Sequence, residues 1–541
     1  MTEYHGKSVC GGIAVGKIHL MVKREQNIVR YEAKDCDSEI CRFETARKEA
    51  RKQLALLYEK AAKEVGEENA AIFEIHQMML EDDDYLDSVK RIVLEQKVNV
   101  EYAIGAASAH FAEMFSSMED VYMRERAADV MDISDRMIRI LTNADSEKIQ
   151  LHEPVIILAD DLAPSETVQL DKSLVRSFVT VHGSVNSHTA ILARTMNIPA
   201  LIGVDMELAQ ELEGRMAVVD GFGGALYVDP DEELLAQMRV RETEALGKER
   251  LLQELKGKEN RTKDGREILV HANIGSVKDL DEVLKNDAGG IGLFRSEFIF
   301  LESSTYPTEE EQFRIYKKTA ETMAGKRVII RTLDIGADKQ AAYFRLDKEE
   351  NPAMGLRAIR ICLTRPELFK TQLRAIYRAS NYGKIAVMYP MITSLEEVRR
   401  IREISAEVRG ELEEEGIPFH LIEEGIMIET PAAAMISDIL AKEVDFFSIG
   451  TNDLSQYTMA MDRQNPHLGA FFNPCHEAVL RMIEMVCRNA HAENIWVGIC
   501  GELGADLSLT RRFLRMGVDE LSVSPACVLP LRDKIRSLDL R

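Results

Sequence analysis

The sequence predicts a multidomain α/β protein: an α/β domain that carries an inserted helical bundle, followed by a C-terminal TIM (β/α)8 barrel. Three observations predict it. Strand-like segments near the start resume only after residue 152, and a proline-free stretch of helical periodicity lies between them. The last 280 or so residues alternate short apolar runs with helical segments eight times, close to the usual size of such a barrel. The length agrees, since 541 residues exceed what one core organises and suggest about three or four domains.

In order along the chain, Ser8 to Val22 (S-V-C-G-G-I-A-V-G-K-I-H-L-M-V) alternates apolar and small residues between turn glycines, as short strands do. From about Asp35 to Leu141, apolar residues recur at helical spacing (Phe43, Ala46, Ala50, Leu54, Leu57, Ala61), which predicts the inserted bundle. Within it, Met78, Met79, Met114, Met118 and Met123 read first as core filling, and Glu81, Asp82, Asp83 and Asp84 as a solvated face. An exposed apolar strip beside carboxylates would instead dock a small basic protein. Strand patterns return at Glu153 to Leu158 and at Met216 to Val228, so the first and third segments form one domain. From Asp231 to about Asn260 a charged helical pattern reads as a connector. The expected organisation is 1–30 and 145–230 for the α/β domain, 31–144 for the insert, 231–260 for the linker helix and 261–541 for the barrel.

The stretch Val181 to Arg194 (V-H-G-S-V-N-S-H-T-A-I-L-A-R) passes from an apolar strand through Gly183 to a helix start, and puts His188 in the first turn. First-turn N–H groups lack partners and carry partial positive charge, so a histidine there is biased towards its neutral, nucleophilic form. A phosphoryl group on its ring would sit where anions are favoured, and Ser187 and Thr189 offer hydroxyl donors. A phosphate-carrying histidine competes with a capped helix bearing a surface histidine; His182, on the strand side of Gly183, reads as structural.

The eight barrel strands are expected at Ile268 to Gly275, Gly290 to Glu297, Arg327 to Asp334, Ile385 to Ile392, Gly425 to Thr430, Val444 to Thr451, Ile495 to Glu502 and Glu520 to Pro525. Functional groups of such barrels gather at the carboxyl ends of the strands. There stand Arg295, Arg331, Glu429, Asn452, Asp453, Cys500 and Glu502, with Arg357 and Arg463 in following loops. One arginine after a strand is ordinarily a surface ion pair. Several on one rim repel each other unless a polyanion fills the space, and guanidinium groups suit phosphate and carboxylate. Glu429 and Asp453 on adjacent strands suit Mg²⁺, which takes few protein ligands and draws the rest from substrate and water. The expected ligand is a small doubly anionic phosphate ester with magnesium.

The whole-chain balance fits. Lys plus Arg is 68 against 91 for Asp plus Glu, a net charge of -23, which argues against nucleic acid and for a basic protein partner. Eight cysteines without CxxC spacing fit reduced thiols rather than a zinc site or disulfide framework. The start, M-T-E-Y-H-G-K, has no signal-like segment and no apolar run reaches membrane-spanning length, so a soluble cytoplasmic protein with no membrane insertion is expected.

Across essentially the whole chain the sequence resembles enzyme I of the bacterial phosphoenolpyruvate:sugar phosphotransferase system. The resemblance rests on S-H-T-A-I-L-A-R at His188, G-L-F-R-S-E-F at Arg295, R-T-L-D-I-G at Arg331, E-N-P-A-M-G-L-R-A-I-R at Arg357, I-E-T-P-A-A-A at Glu429, D-F-F-S-I-G-T-N-D-L-S-Q-Y at Asp453 and C-G-E at Cys500. It implies a phosphohistidine swivel domain and a phosphoenolpyruvate-binding barrel. By the resemblance His188 takes the phosphoryl group from phosphoenolpyruvate and passes it to the carrier protein HPr, which docks on the insert, as the first step of sugar uptake. Glu429 and Asp453 then hold Mg²⁺. Substrate contacts fall to Arg295, Arg331, Asn452, Asp453 and Arg463 with Arg357 nearby, Cys500 donates a proton, and the barrel forms a homodimer. Where the family commonly has Gly-Arg-Thr before Ser-His, this chain has Ser184, Val185 and Asn186, which removes a positive charge beside His188. Pyruvate phosphate dikinase and phosphoenolpyruvate synthase share the histidine and barrel domains but need an upstream nucleotide-binding region, and no glycine-rich phosphate loop is present here. A non-catalytic regulatory paralogue predicts loss of catalytic groups, yet His188, Glu429, Asp453 and Cys500 are all retained.

Overall fold

The computed structural model describes the chain except for residues 22–27, 66, 118–120, 143–150, 163, 168–169, 184–188, 191–192, 194–197, 337–340, 464, 466–467 and 469–470. It forms two compact units, Met1–Lys248 and Glu249–Arg541.

The first unit contains an eight-stranded mixed sheet in the order β1-β8-β7-β3-β4-β5-β6-β2. Its strands are β1 (Thr2–His5), β2 (Lys7–Cys10), β3 (Ile13–Met21), β4 (Val155–Ala159), β5 (Val175–Thr180), β6 (Ala200–Ile202), β7 (Met216–Asp220) and β8 (Ala225–Val228). The long β3 joins its two halves: it runs antiparallel to β7, with Val15 opposite Val218, and parallel to β4, with Ile18 opposite Ile156. Along β4, Ile156 and Leu158 enter one apolar cluster while Val155, Ile157 and Ala159 enter another. Both faces are therefore covered, which is why the strand reads as an unbroken apolar run.

Between β3 and β4 the described residues form five helices: α1 (Cys36–Val65), α2 (Glu67–Met79), α3 (Asp83–Gln96), α4 (Val100–Ser116) and α5 (Val121–Leu141). Phe43, Leu54, Phe73, Val89, Ile104 and Ile133 form their core. One reading of the insert changes and one stands, since Glu81, Asp82, Asp83 and Asp84 are all exposed, as a solvated face should be. Met79 packs against that core, but Met78 is 70 % and Met114 37 % exposed, so core filling does not explain them; Met118 and the Met123 side chain lie outside the described residues. Spacing along a helix marks a face without saying which way it points. The acidic cluster has a local cause: Asp82 caps α3, its carboxylate accepting the Tyr85 N–H at 3.0 Å, and Asp83 and Asp84 occupy the electropositive first turn.

After β8, the helix Glu232–Gln253 begins at an Asp231 carboxylate that accepts the Leu234 N–H, and it ends short of the expected Asn260. The second unit is a closed barrel of eight parallel strands: β9 (Leu269–Ile274), β10 (Gly290–Arg295), β11 (Arg327–Arg331), β12 (Ile385–Tyr389), β13 (Glu423–Ile428), β14 (Phe446–Ile449), β15 (Trp496–Ile499) and β16 (Glu520–Val523), which returns to β9. Each overlaps the segment expected from the sequence. Its helices are well signposted, as by the capping boxes Thr308/Glu311 and Ser394/Glu397. Strand residues facing outwards pack on the helices, while Leu293, Ile329, Met388, Met427 and Phe446 fill the barrel interior. Among the described residues no helix is long and apolar enough to cross a membrane.

Candidate active site

The carboxyl ends of the barrel strands enclose a cavity of about 360 Å³. Its walls include Arg295 at the end of β10, Arg331 at the end of β11, Glu429 after β13, Asn452 and Asp453 in the first turn of the helix Thr451–Met459 after β14, and Cys500 after β15. Arg463 joins them from the loop beyond that helix. With Glu502, eight residues singled out from the sequence thus meet in one space. Arg357 is not on its wall but stands one residue behind, where its guanidinium donates to Asp334 at 3.0 Å. His188 lies outside the described residues. Beside it, Thr189 is buried and donates its hydroxyl to the Leu162 carbonyl at 3.5 Å, while His182 is an exposed partner of Asp160 at 2.9 Å.

Electrostatics at the mouth differ from the expectation of mutually repelling arginines. Arg331 is 7 % exposed and sits between two carboxylates, donating to Glu297 Oε1 at 2.6 Å and lying 3.0 Å from Asp334 Oδ2. Burial alone would weaken its charge, but Glu297, Asp334 and Glu429 outweigh that and hold it charged, above its ordinary range. Asp334 is shared by Arg331 and Arg357, and Arg463 lies 3.7 Å from Asp453. Only Arg295, stacked over the Phe298 ring at 5.1 Å, forms no ion pair among the described residues.

Glu297 and Asp334 are the residues that reading from the sequence missed. Both stand inside motifs already noted, G-L-F-R-S-E-F and R-T-L-D-I-G, but their pairing with arginines of other segments is a tertiary fact. One demand is left open: Glu297 Oε2 is buried and accepts no hydrogen bond among the described residues, and neither does Arg331 Nε find an acceptor.

Glu429 is 1 % exposed; its Oε1 accepts the Met391 N–H at 2.6 Å, and a Cβ added at Gly450 would lie 2.8 Å from its Oε2. Burial, then the charges of Asp453 and Asp334, push its carboxyl up to about 8. Cys500, 5 % exposed, has its Sγ 3.7 Å from the Ile449 carbonyl, and its thiol is pushed up to about 12, chiefly by burial. It keeps its proton at neutral pH rather than standing as a thiolate. Such a mouth presents arginines to a small polyanion and two carboxylates to a cation, and holds a proton on sulfur.

Known proteins agree along the whole chain. Residues 5–126, 151–224 and 249–540 match the N-terminal, mobile and PEP-binding domains of PEP-utilising enzymes. The phosphoenolpyruvate-protein phosphotransferase of Priestia megaterium is 40 % identical over 538 residues, 99 % of this chain and 94 % of the relative. That of Listeria monocytogenes is 40 % identical over 539 residues, with 99 % and 94 % covered. The protein of that name from Bacillus subtilis is 39 % identical over 540 residues, with 99 % and 95 % covered.

Proposed function

The chain belongs to the phosphoenolpyruvate-protein phosphotransferase family, and from that premise we propose that it moves the phosphoryl group of phosphoenolpyruvate to its own His188 and then to the carrier protein HPr, the first step of phosphotransferase-system sugar uptake. The observation that carries the reading is Arg295. It is the one wall arginine without an ion pair among the described residues, in a mouth where Arg331 is already fixed, so an arriving anion gains a guanidinium without breaking an existing bond.

In this mechanism Arg295, Arg331 and Arg463 bind the phosphate and carboxylate of the substrate, Asn452 adds its amide, and Arg357 steadies Asp334 from behind. The His188 imidazole attacks phosphorus in line, forming an N–P bond as the bridging P–O bond breaks; such transfer depends on positioning and on neutralising the equatorial oxygens. Enolpyruvate leaves, and the Cys500 thiol gives its proton to the methylene carbon, producing pyruvate.

Glu429 and Asp453 would hold Mg²⁺, which when bound neutralises phosphate charge. The donor set fits: two carboxylates, with a side-chain-free Gly450 beside Glu429 Oε2, suit a cation that takes most ligands from substrate and water.

Since His188 has to meet both the barrel and the carrier, the domain organisation expected from the sequence (1–30 and 145–230, 31–144, 231–260, 261–541) makes the linker helix the swivel. The helical insert then docks HPr, and the exposed Met78 and Met114 with the exposed carboxylates of Asp83 and Asp84 suit a small basic protein. A homodimer through the barrel belongs to the same reading, and specific activity that is independent of enzyme concentration would count against it. Cysteines that stand as thiols, such as Cys41, Cys362, Cys487 and Cys500, suit the cytoplasm.

Incubation with phosphoenolpyruvate and Mg²⁺, followed by intact mass and acid treatment, tests the function. One acid-labile phosphoryl adduct on His188, discharged by HPr and lost in His188→Ala, is the expected result. A bound substrate without an adduct would overturn it and favour a non-catalytic role for the Ser184-Val185-Asn186 variant of the segment.

A further inference from the structure

Beneath the cavity, the barrel interior is more polar than its packing needs. Interiors of such barrels are dominated by branched apolar side chains, yet β9 and β16 contribute Asn273, Ser522, His271 and Glu520. Ser522 is fully buried and Asn273 lies on the cavity wall. The Asn273 amide Nδ2 donates to two backbone carbonyls, Cys500 O at 3.0 Å and Ser522 O at 3.1 Å, while its Oδ1 accepts the Ser522 hydroxyl at 2.6 Å. Carbonyls only accept, so the amide has one orientation and the hydroxyl must donate to it. A neighbouring strand leaves room: a Cβ at Gly292 of β10 would lie 2.4 Å from Ser522 Oγ and 2.2 Å from Glu520 Oε1.

The consequence falls on Cys500. Pairing of β15 with β16 stops at Ile499 opposite Leu521, so the next carbonyl, that of Cys500, takes a side-chain donor instead of a ladder partner. The Cys500 N–H is held by the Ile449 carbonyl at 3.1 Å. With its N–H and its carbonyl both fixed, one heavy-atom torsion, χ1, is left to place the thiol, whose Sγ lies 3.7 Å from the Ile449 carbonyl. We propose that Asn273, oriented by Ser522, is a positioning residue for the Cys500 thiol, setting the face of enolpyruvate that the proton reaches. The proposal rests on the reading of Cys500 as proton donor.

The test follows the proton. Phosphoenolpyruvate carrying deuterium at one C3 position is turned over once by the full chain with Mg²⁺ in tritiated water, and the configurational excess of the pyruvate methyl group is measured beside the amount of phosphoryl adduct. Wild type gives a single configuration. Asn273→Ala and Ser522→Ala let the proton arrive from either face, so the excess collapses, and on-enzyme protonation slows by roughly 100-fold, the scale of a 1 Å misplacement. Asn273→Asp keeps the shape but cannot donate to two carbonyls, and it fails like alanine. Retention of the wild-type configuration by Asn273→Asp would overturn positioning by hydrogen bonds, leaving only space filling. Ser522→Ala, off the cavity wall, covers the case in which the Asn273 variants do not fold, and full retention there also overturns the proposal. Cys500→Ala separates the two levels: if it too retains the configuration, the proton-donor reading has failed and the brace with it, whereas loss in Cys500→Ala alone rejects only the brace.

Discussion

Strand β13 has Glu424 near its amino end and Glu429 just past its carboxyl end, and the two have opposite surroundings. Glu424, near the amino end, is saturated: Oε1 accepts from Tyr377 at 2.6 Å, Ser405 at 2.8 Å and Arg409 at 2.7 Å, and Oε2 accepts from Tyr389 at 2.8 Å. Glu429, just past the carboxyl end, accepts one hydrogen bond among the described residues and faces two further carboxylates. A closed network stabilises the fold it sits in, whereas a buried acid with open demand costs stability and is kept for something that arrives. The same strand therefore separates a structural end from a chemical one.

Exchanging the two acids should give opposite outcomes, and this carries the largest effect. Glu429→Gln removes a carboxylate offered to the cation, so adduct formation should fall by about 1,000-fold, the scale of losing one preorganised electrostatic contact. Its melting temperature should hold or rise, because a buried like-charge conflict is relieved. Glu424→Gln should instead cost roughly 1–3 kcal/mol, since a neutral amide cannot match Arg409 and three hydroxyl donors. The folded fraction should keep near-normal activity. Calorimetry beside a phosphorylation assay decides it, and the comparison breaks if the Glu424 variant is stable but inactive.

Gly450 sharpens the point at intermediate size. Its φ of -82° is open to any residue, so Gly450→Ala changes space and not backbone preference. The new Cβ would lie 2.8 Å from Glu429 Oε2 and 3.1 Å from the Met427 sulfur. Activity should drop by about 10-fold to 100-fold, the range seen when groups that orient metal ligands are disturbed. Half-saturating Mg²⁺ should rise with it. Unchanged magnesium dependence would remove Glu429 Oε2 from the cation's surroundings.

How much of this was legible in the sequence follows from the range of each signal. The barrel was readable because each apolar run is local, and a strand's end fixes which residues face the mouth; Arg295, Arg331, Glu429, Asp453 and Cys500 follow from that alone. Hidden were the partners that turn a ring of arginines into a neutralised one. Glu297 meets Arg331 from the start of the short helix Glu297–Leu301 after the neighbouring strand β10, and Arg357 reaches Asp334 across 23 residues of chain, and no periodicity encodes either. Asn273 was equally silent, since one polar residue in an apolar run resembles an edge rather than a brace. The exposure of Met78 was lost for the same reason, because spacing gives a face and not its orientation.

Two cysteines offer the smallest and finest version of the comparison. Cys500 at the mouth and Cys487 in the outer helix Glu477–Ala492 are both buried, and burial pushes each thiol up to about 12. At pH 8 burial keeps both overwhelmingly as thiols, so proton affinity does not distinguish their reactivity. Address does: Cys500 lines the cavity, while Cys487 is sealed in the apolar cluster between barrel and helices. Iodoacetamide should alkylate Cys500 slowly and Cys487 more slowly still, at the rate of local opening. Phosphoenolpyruvate with Mg²⁺ should slow the first several-fold and leave the second unchanged, as mass spectrometry of the peptides would record. Equal protection of both would mean that ligand tightens the whole barrel rather than covering its mouth, and the division drawn along β13 would then be one of degree.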